Sequence, residues 1–292
     1  MSAAAEDALR LCLAGRISPE VALARLVLAG LTPEAIEARL ATLPSGGSRA
    51  EALARLHRLC GGGLVDLRAM LSASGLDHEA SCGTPEAVVA RLAAAFDRAV
   101  AVAPEASVAA YSLNDPAVLA AATAEIVEWL AREGLIGPDR DVLDLGCGIG
   151  RVSAAIAPRC RAVLGLDVSP MMVAEARRRH GAVPGLGFDT TPGTGLAALA
   201  AASFDLVLAV DSFPYVLQAG RAVADRHLAD AARVLRPGGG ALAILNLSYR
   251  GDLDADRADA ARWAAAGGWT LAVNGAAPFV LWDGAAFLLR RT

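Results

Sequence analysis

Apolar residues along this 292-residue chain follow two different periods, and the change between them divides it. From Met1 to about Pro104, Leu, Val and Ile recur at three- and four-residue spacing, the mark of helices with one buried face. The pattern predicts helices over Ala3–Ala14, Pro19–Ala29, Pro33–Leu43, Arg49–Cys60, Gly63–Ser74 and Thr84–Val102. Ser18-Pro19, Thr32-Pro33 and Thr84-Pro85 each place a capping hydroxyl before a proline at the first helical position, with a glutamate next. Pro44-Ser45-Gly46-Gly47-Ser48 is a break. A polar link, Ala110 to Pro116, then leads into a long helix over Pro116–Arg132 with Asp115 as its cap.

Beyond residue 140 the period changes. Short apolar runs of strand length, near 141–145, 162–166, 186–189, 204–210 and 240–247, alternate with helical patterns at 151–157, 170–179, 219–235 and 255–266. Apolar strands separated by helices imply a parallel sheet covered on both faces. Two last runs, Trp269–Gly275 and Ala285–Arg291, have only a loop through Pro278 and Trp282-Asp283-Gly284 between them. That is too short for a parallel crossover, so they are expected to pair antiparallel. The division expected is a helical domain over 1–104 and an α/β domain over 105–292.

Candidate chemistry concentrates in Asp141–Gly150, a strand running into a loop with glycines at 146, 148 and 150 that opens a helix near Arg151. Such a loop brings backbone N–H groups and a helix N-terminus close to a polar or anionic group. The second strand ends in Asp167, 21 positions after Gly146, the spacing at which an acid accepts both hydroxyls of a ribose. The alternative role for Asp167, capping the next helix, is already served by Ser169. A dinucleotide dehydrogenase spaces its last two glycines three apart; here they are two apart, and Asp144 adds an acid inside the strand.

In this spelling the chain resembles the class I S-adenosylmethionine-dependent methyltransferases, over roughly residues 110–292. Asp-Leu-Gly-Cys-Gly-Ile-Gly-Arg (144–151) is similar to their first motif and Gly-Leu-Asp-Val-Ser-Pro-Met-Met (165–172) to their second. Phe-Asp-Leu-Val-Leu-Ala-Val-Asp (204–211) resembles their fourth strand, and Val-Leu-Arg-Pro-Gly-Gly-Gly (234–240) the turn before the fifth. The resemblance implies a Rossmann-like, doubly wound, mostly parallel seven-stranded sheet closed by a C-terminal antiparallel hairpin, which the helical pattern of residues 1–104 precedes as a small all-helical domain. It implies S-adenosylmethionine as cofactor. Asp144, Gly146, Gly148 and Gly150 would hold its amino-acid part, Asp167 the ribose, and Val168 and Met172 the adenine. The family's acid after the third strand has no counterpart in Thr190-Thr191-Pro192-Gly193-Thr194-Gly195, where backbone of Thr194 or Gly195 would substitute. Cys147, Val210, Asp211 and Ser212 complete the expected cofactor-binding set, with no chemistry assigned to Cys147.

The acceptor is expected beyond strand four, facing Asp211, Ser212 and Tyr215. Tyr111, in the link before the long helix, either reaches the cofactor or acceptor or packs on the first turns of that helix. Asn246 and Tyr249 either line the pocket or satisfy loop backbone, His227 is expected at the surface, and Arg177-Arg178-Arg179-His180 reads as a solvated helix face. Asp211, Tyr215 and Tyr111 are the candidate catalytic residues.

Charge narrows the partners. Net charge is −4, all 27 Lys and Arg positions are arginine, and residues 1–110 carry ten Arg against twelve Asp and Glu. No basic stripe marks a nucleic-acid partner. Although 55% of residues are hydrophobic, no apolar run reaches the ~20 residues of a membrane span. The acidic start and five scattered cysteines suit a reduced, cytoplasmic setting. His57, Cys60, His78 and Cys82 have zinc-like spacing, but His57 and Cys60 fall on an amphipathic helix as a surface imidazole and a core thiol, so no metal is expected. The function expected is methyl transfer to a small-molecule acceptor, the alternatives being a non-catalytic S-adenosylmethionine-binding or regulatory module and a nucleotide-dependent oxidoreductase. The N-terminal helices would cover one side of the main domain or form a homodimer contact.

Overall fold

The computed structural model describes residues 2–43, 47–76 and 83–292. The chain divides into two compact units that are not consecutive in sequence. A helical unit takes Met1–Gly75, Arg98–Glu125 and Phe279–Asp283; a sheet unit takes Leu76–Asp97, Ile126–Pro278 and Gly284–Thr292. The expected linear cut at 104/105 differs from this division, because two long helices cross it and a late loop belongs to the helical unit.

The helical elements are α1 (Ala3–Leu13), α2 (Pro19–Leu28), α3 (Pro33–Leu40), α4 (Ser48–Leu59), α5 (Gly61–Ser74), α6 (Pro85–Val102), α7 (Pro104–Val108) and α8 (Pro116–Arg132). The expected caps form: Ser18 Oγ accepts from Val21 N at 3.1 Å, Thr32 Oγ1 from Ala35 N at 3.2 Å, and Asp115 Oδ1 from Ala117 N at 2.8 Å. Leu23, Leu26, Ile36, Leu53, Leu64 and Leu67 are fully buried and make the core of this unit. The loop Phe279–Asp283 is tied to it by Glu125, whose carboxylate accepts from Val280 N at 2.9 Å, and by Arg25, paired with Asp283. His57, expected at the surface, is buried, with Nε2 donating to the Pro33 carbonyl at 3.1 Å, while the expected core thiol, Cys60, is only partly covered. Residues 44–46 of the expected break, and His78 and Cys82, lie outside the described residues.

In the sheet unit the strands are β1 (Asp141–Leu145), β2 (Ala162–Asp167), β3 (Leu186–Thr190), β4 (Leu206–Val210), β5 (Ala241–Leu245), β6 (Trp269–Ala276) and β7 (Ala286–Arg291). The helices are α9 (Arg151–Ile156), α10 (Pro170–His180), α11 (Phe213–Gln218), α12 (Arg221–Val234) and α13 (Leu253–Ala266). The sheet has seven strands in the order β3-β2-β1-β4-β5-β7-β6. The first five are parallel, and β7 runs antiparallel to both β5 and β6, as the short connection required. Period-two alternation sorts the side chains. Leu143, Leu145, Val207, Ala209, Leu242, Ile244, Phe287 and Leu289 enter one core with Phe213, Leu228 and Trp263. Val142, Asp144, Leu206, Leu208, Ala243 and Leu288, at the intervening positions, are buried as well. Burial on both faces is why the strands read as continuous apolar runs.

His227 is also buried rather than exposed, with Nδ1 donating to the Val223 carbonyl at 2.9 Å. It shares the inner stripe of α12 with Val223 and Ala231, each four residues away, so its position follows the helical repeat rather than its polarity. Burial lowers its pKa and keeps it neutral. Among the described residues no helix is long and apolar enough to cross a membrane.

At the N-terminal edge of the sheet Arg236 ties three segments together. It donates to Asp205 Oδ2 at 2.5 Å, Asp141 Oδ2 at 2.6 Å and the Ser203 carbonyl at 2.9 Å. Asp205 Oδ2 in turn accepts from Asp141 N at 2.8 Å. Arg161 and then Arg236 hold the Asp141 carboxyl below its ordinary pKa. Arg236→Met is expected to cost ~1–3 kcal/mol, because it strips charged hydrogen bonds from two carboxylates that are themselves mostly covered. The difference from the parent chain should be complete above about pH 4, the ordinary carboxyl value, and shrink as acid protonates Asp141. Thermal melts from pH 3 to pH 8 check both the size and the direction.

Candidate active site

The C-terminal ends of β1, β2, β4 and β5 lie side by side at the point where strand order reverses between β1 and β4. After Leu145 the chain turns at once, with Gly146 N and Cys147 N both donating to the Leu166 carbonyl, at 2.7 and 3.0 Å. Gly146 and Gly150 have φ of +74° and +78°. Neither has room for a side chain: a Cβ would fall 2.3 Å from that of Ser212 at Gly146, and 2.6 Å from the Phe188 ring at Gly150. The glycines therefore serve packing against the ends of β3 and β4 as well as backbone conformation.

Two buried carboxylates flank this loop. Asp167 accepts from Gly148 N at 2.8 Å and from Ser169 N at 2.9 Å. Burial still pushes its pKa up against these bonds. Asp144 is on the opposite face of β1 from Leu143 and Leu145, and Ser153 Oγ of α9 donates to it at 2.5 Å. Burial raises its pKa to about 6, a displacement to which nearby Asp167 adds. The free thiol of Cys147 is buried in the same loop, and burial pushes its pKa up, so it is neutral and unreactive.

Beyond β2, Ser169 caps α10 by accepting from Met172 N at 3.0 Å. The Ser169 hydroxyl donates to Asp97 Oδ1 at 2.6 Å, and Met171 N donates to the same oxygen at 3.1 Å. Asp97 ends the part of α6 that belongs to the sheet unit. Val88, Val89 and Leu92 of that part pack with Val168, Tyr215, Val216, Ala219 and Val223. Met172 is buried, and Val168 is half-buried. After β3, Asp230 Oδ2 of α12 accepts from Leu196 N at 2.7 Å and Arg226 donates to the Thr194 carbonyl at 3.3 Å. The backbone of Thr194 and Gly195 is thus fixed by α12 in a segment without regular structure.

At the ends of β4 and β5 the chain leaves through two non-glycine residues in the left-handed region, Asp211 at φ +57° and Asn246 at φ +71°. Asp211 N donates to the Leu245 carbonyl at 2.8 Å. Asn246 Nδ2 and Tyr249 OH both donate to Asp211 Oδ1, at 2.8 and 2.9 Å. Ser212 donates to the Leu145 carbonyl and so joins the end of β4 to the end of β1. Tyr215 meets Tyr249 edge-on at 5.4 Å and Phe96 at 5.0 Å between ring centres. Burial first, and the Asp211 charge second, push both phenols above their ordinary pKa, so both keep their protons.

The structure therefore brings Asp144, Gly146, Cys147, Gly148, Gly150, Asp167 and Val168 together around the first two strand ends. Val210, Asp211, Ser212 and Tyr215 gather around the next two, with Thr194 and Gly195 beyond β3. Tyr111 belongs to the helical unit, buried there and stacked on Trp282 at 6.2 Å. Val89, Phe96 and Asp97 had no sequence signal as site residues, because they fall inside one uniform helical stretch. Asn246 was visible as polar residue after an apolar strand, but its bond to Asp211 spans 35 positions.

Residues 142–239 match the family model described as a methyltransferase domain. Over 69 residues the chain is 46% identical to the trans-aconitate 2-methyltransferase of Methylobacterium nodulans, covering 23% of this chain and 25% of that protein. Over 140 residues it is 34% identical to the methyltransferase GfsG of Streptomyces halstedii, covering 47% and 48%. The chain thus matches less than half the length of either relative. Among solved structures, phosphoethanolamine N-methyltransferase 1 of Haemonchus contortus, in complex with phosphoethanolamine and S-adenosylhomocysteine, aligns with a TM-score of 0.57 at 16% identity. That alignment covers 72% of this chain and 50% of the other, and it supports the fold alone. From β1 to the turn before β5 the chain is thus similar to methyltransferase domains, and its strand order is the one the resemblance to the class I S-adenosylmethionine-dependent methyltransferases implied.

Proposed function

We propose that this protein transfers a methyl group from S-adenosylmethionine to a small-molecule acceptor, with both bound at the C-terminal strand ends of the sheet unit. The observation that carries this reading is the pair of buried carboxylates, Asp144 and Asp167, on either side of a loop of left-handed glycines. Burial outweighs the Ser153 bond and the Arg151 charge at Asp144 and the backbone donors at Asp167, and such partly offset buried anions favour a ligand that brings positive charge and hydroxyls. An α-ammonium group, a sulfonium and a ribose meet that demand. Asp167 would hold the ribose hydroxyls; Asp144 and the loop would hold the amino-acid part. Bound there, the cofactor supplies an already activated methyl group. The chain's own contribution is to fix the acceptor in line and keep water out, which alignment alone makes worth several kcal/mol. Asp211 and Tyr215 would face the acceptor.

Asp167→Ala is expected to weaken S-adenosylhomocysteine binding by ~1–3 kcal/mol through lost charged hydrogen bonds, with no gain of NAD affinity. Calorimetric titration of both ligands decides it, and binding of NAD without S-adenosylhomocysteine would sink the assignment.

The pH dependence has a definite sign. In the ligand-free chain Asp144 titrates at about 6. An ammonium placed beside it favours the carboxylate and lowers that value, so binding near pH 6 releases protons and affinity falls as the pH drops through this region. Calorimetry in buffers of different ionisation enthalpy measures the release, and Asp144→Asn should abolish it.

Asp211→Asn and Tyr215→Ala are expected to depress single-turnover transfer at least ~10-fold while leaving cofactor affinity within a few fold, since alignment of the acceptor is lost and the cofactor's hold is not. Loss of thermal stability and cofactor affinity together would instead mark these residues as supports of the fold.

A further inference from the structure

We propose that Asp211, held by Asn246 and Tyr249, takes the proton of an uncharged hydroxyl on the acceptor, which makes the substrate an alcohol or a phenol. This rests on the methyl-transfer reading above. Three observations lead to it. Asp211 and Asn246 are both left-handed at adjoining strand ends, a conformation that is uncommon outside glycine and gathers at functional sites. The turns direct Asn246 Nδ2 and Tyr249 OH onto the same carboxylate oxygen, at 2.8 and 2.9 Å. Both donors are neutral, so they orient the carboxylate and favour its ionised form without supplying a compensating charge.

The surrounding charges select against an anionic acceptor. Arg221 and Arg250, on the segments that follow β4 and β5, are paired with Asp259, and Arg250 also with Asp256. A carboxylate or phosphate placed beside Asp211 would meet a fixed negative charge. The half-buried ring of Tyr249, whose hydroxyl reaches Asp211, meets half-buried Tyr215 and through it Phe96, an aromatic group of faces that favours an uncharged acceptor. Proton chemistry then separates hydroxyl from amine. A free amine that gains a methyl group becomes a stable ammonium and needs no base. A hydroxyl that does so becomes a strongly acidic oxonium, which even a carboxylate deprotonates readily. In balance, an oxygen lone pair of the acceptor forms the bond to the methyl carbon as the carbon–sulfur bond breaks onto sulfur. The hydroxyl proton passes to Asp211, which later returns it to water.

The test uses the full chain saturated with S-adenosylhomocysteine, so that no turnover occurs, and three probes of one shape: p-cresol, p-toluidine and p-toluate. Ligand-detected NMR at neutral pH reads their affinities. p-Cresol is expected to bind about tenfold tighter than p-toluate and tighter than p-toluidine. Asp211→Asn should remove the discrimination against p-toluate. Tyr249→Phe and Asn246→Gly, the latter compatible with the left-handed turn, should each narrow the preference to within about threefold. Throughout, S-adenosylhomocysteine affinity and the thermal midpoint should stay near parent values. The proposal is overturned if p-toluate or p-toluidine binds as tightly as p-cresol, or if no probe binds. It is overturned too if the Asn246 and Tyr249 variants lose stability while the preference stays, as a merely structural tie requires. Failure of S-adenosylhomocysteine itself to bind would instead overturn the methyl-transfer reading, and the first titration of the series shows which has failed.

Discussion

Buried negative charge at the ends of β1 and β2 is the constraint around which the sheet unit is arranged. Removing a carboxylate from water costs several kcal/mol unless donors replace the lost solvent. Asp167 finds them in the backbone N–H groups of Gly148 and Ser169, and Asp144 in the hydroxyl of Ser153. For the loop to aim an N–H at Asp167 it must pass through left-handed backbone, which glycine adopts at little cost. The same glycines let Ser212 and Phe188 approach, so charge compensation and close packing are met by one loop. The compensation is incomplete: burial still raises the pKa of both acids, although Ser153 and the Arg151 charge act the other way on Asp144.

The neighbouring pair of strand ends solves a different problem with similar means. Methyl transfer from a sulfonium asks the protein for alignment more than for acid–base power. Asp211 is held by backbone on one side, through the Leu245 carbonyl, and by two side-chain donors on the other. Ser212 locks this end to the glycine loop through Leu145. The ends of β1 and β4 are therefore linked by one hydroxyl and one glycine contact, which keep them in register. The first half of α6 adds Asp97 at the cap of α10 and Phe96 against Tyr215.

At the other end of the strands, charge does purely structural work. Arg236, Arg161, Asp141 and Asp205 pair completely and join segments distant in sequence.

Much of this was legible along the chain. The short apolar runs between helical patterns gave the seven strands, because burial on both faces demands continuous apolar sequence. The short link after β6 required an antiparallel end, and the glycine spacing with Asp167 located the loop, because local backbone geometry is written in local residues. Caps at Ser18, Thr32 and Ser169 were readable for the same reason. What sequence could not carry was long-range partnership. His227 and His57 looked like surface residues, yet their helical faces turn inward against neighbours far along the chain. The assignment of Val89, Phe96 and Asp97 to the sheet unit and the gathering of Asn246 and Tyr249 on Asp211 were decided by tertiary structure. Those contacts join residues 35 or more positions apart, and no local preference for helix, strand or turn encodes which distant side chain will lie opposite.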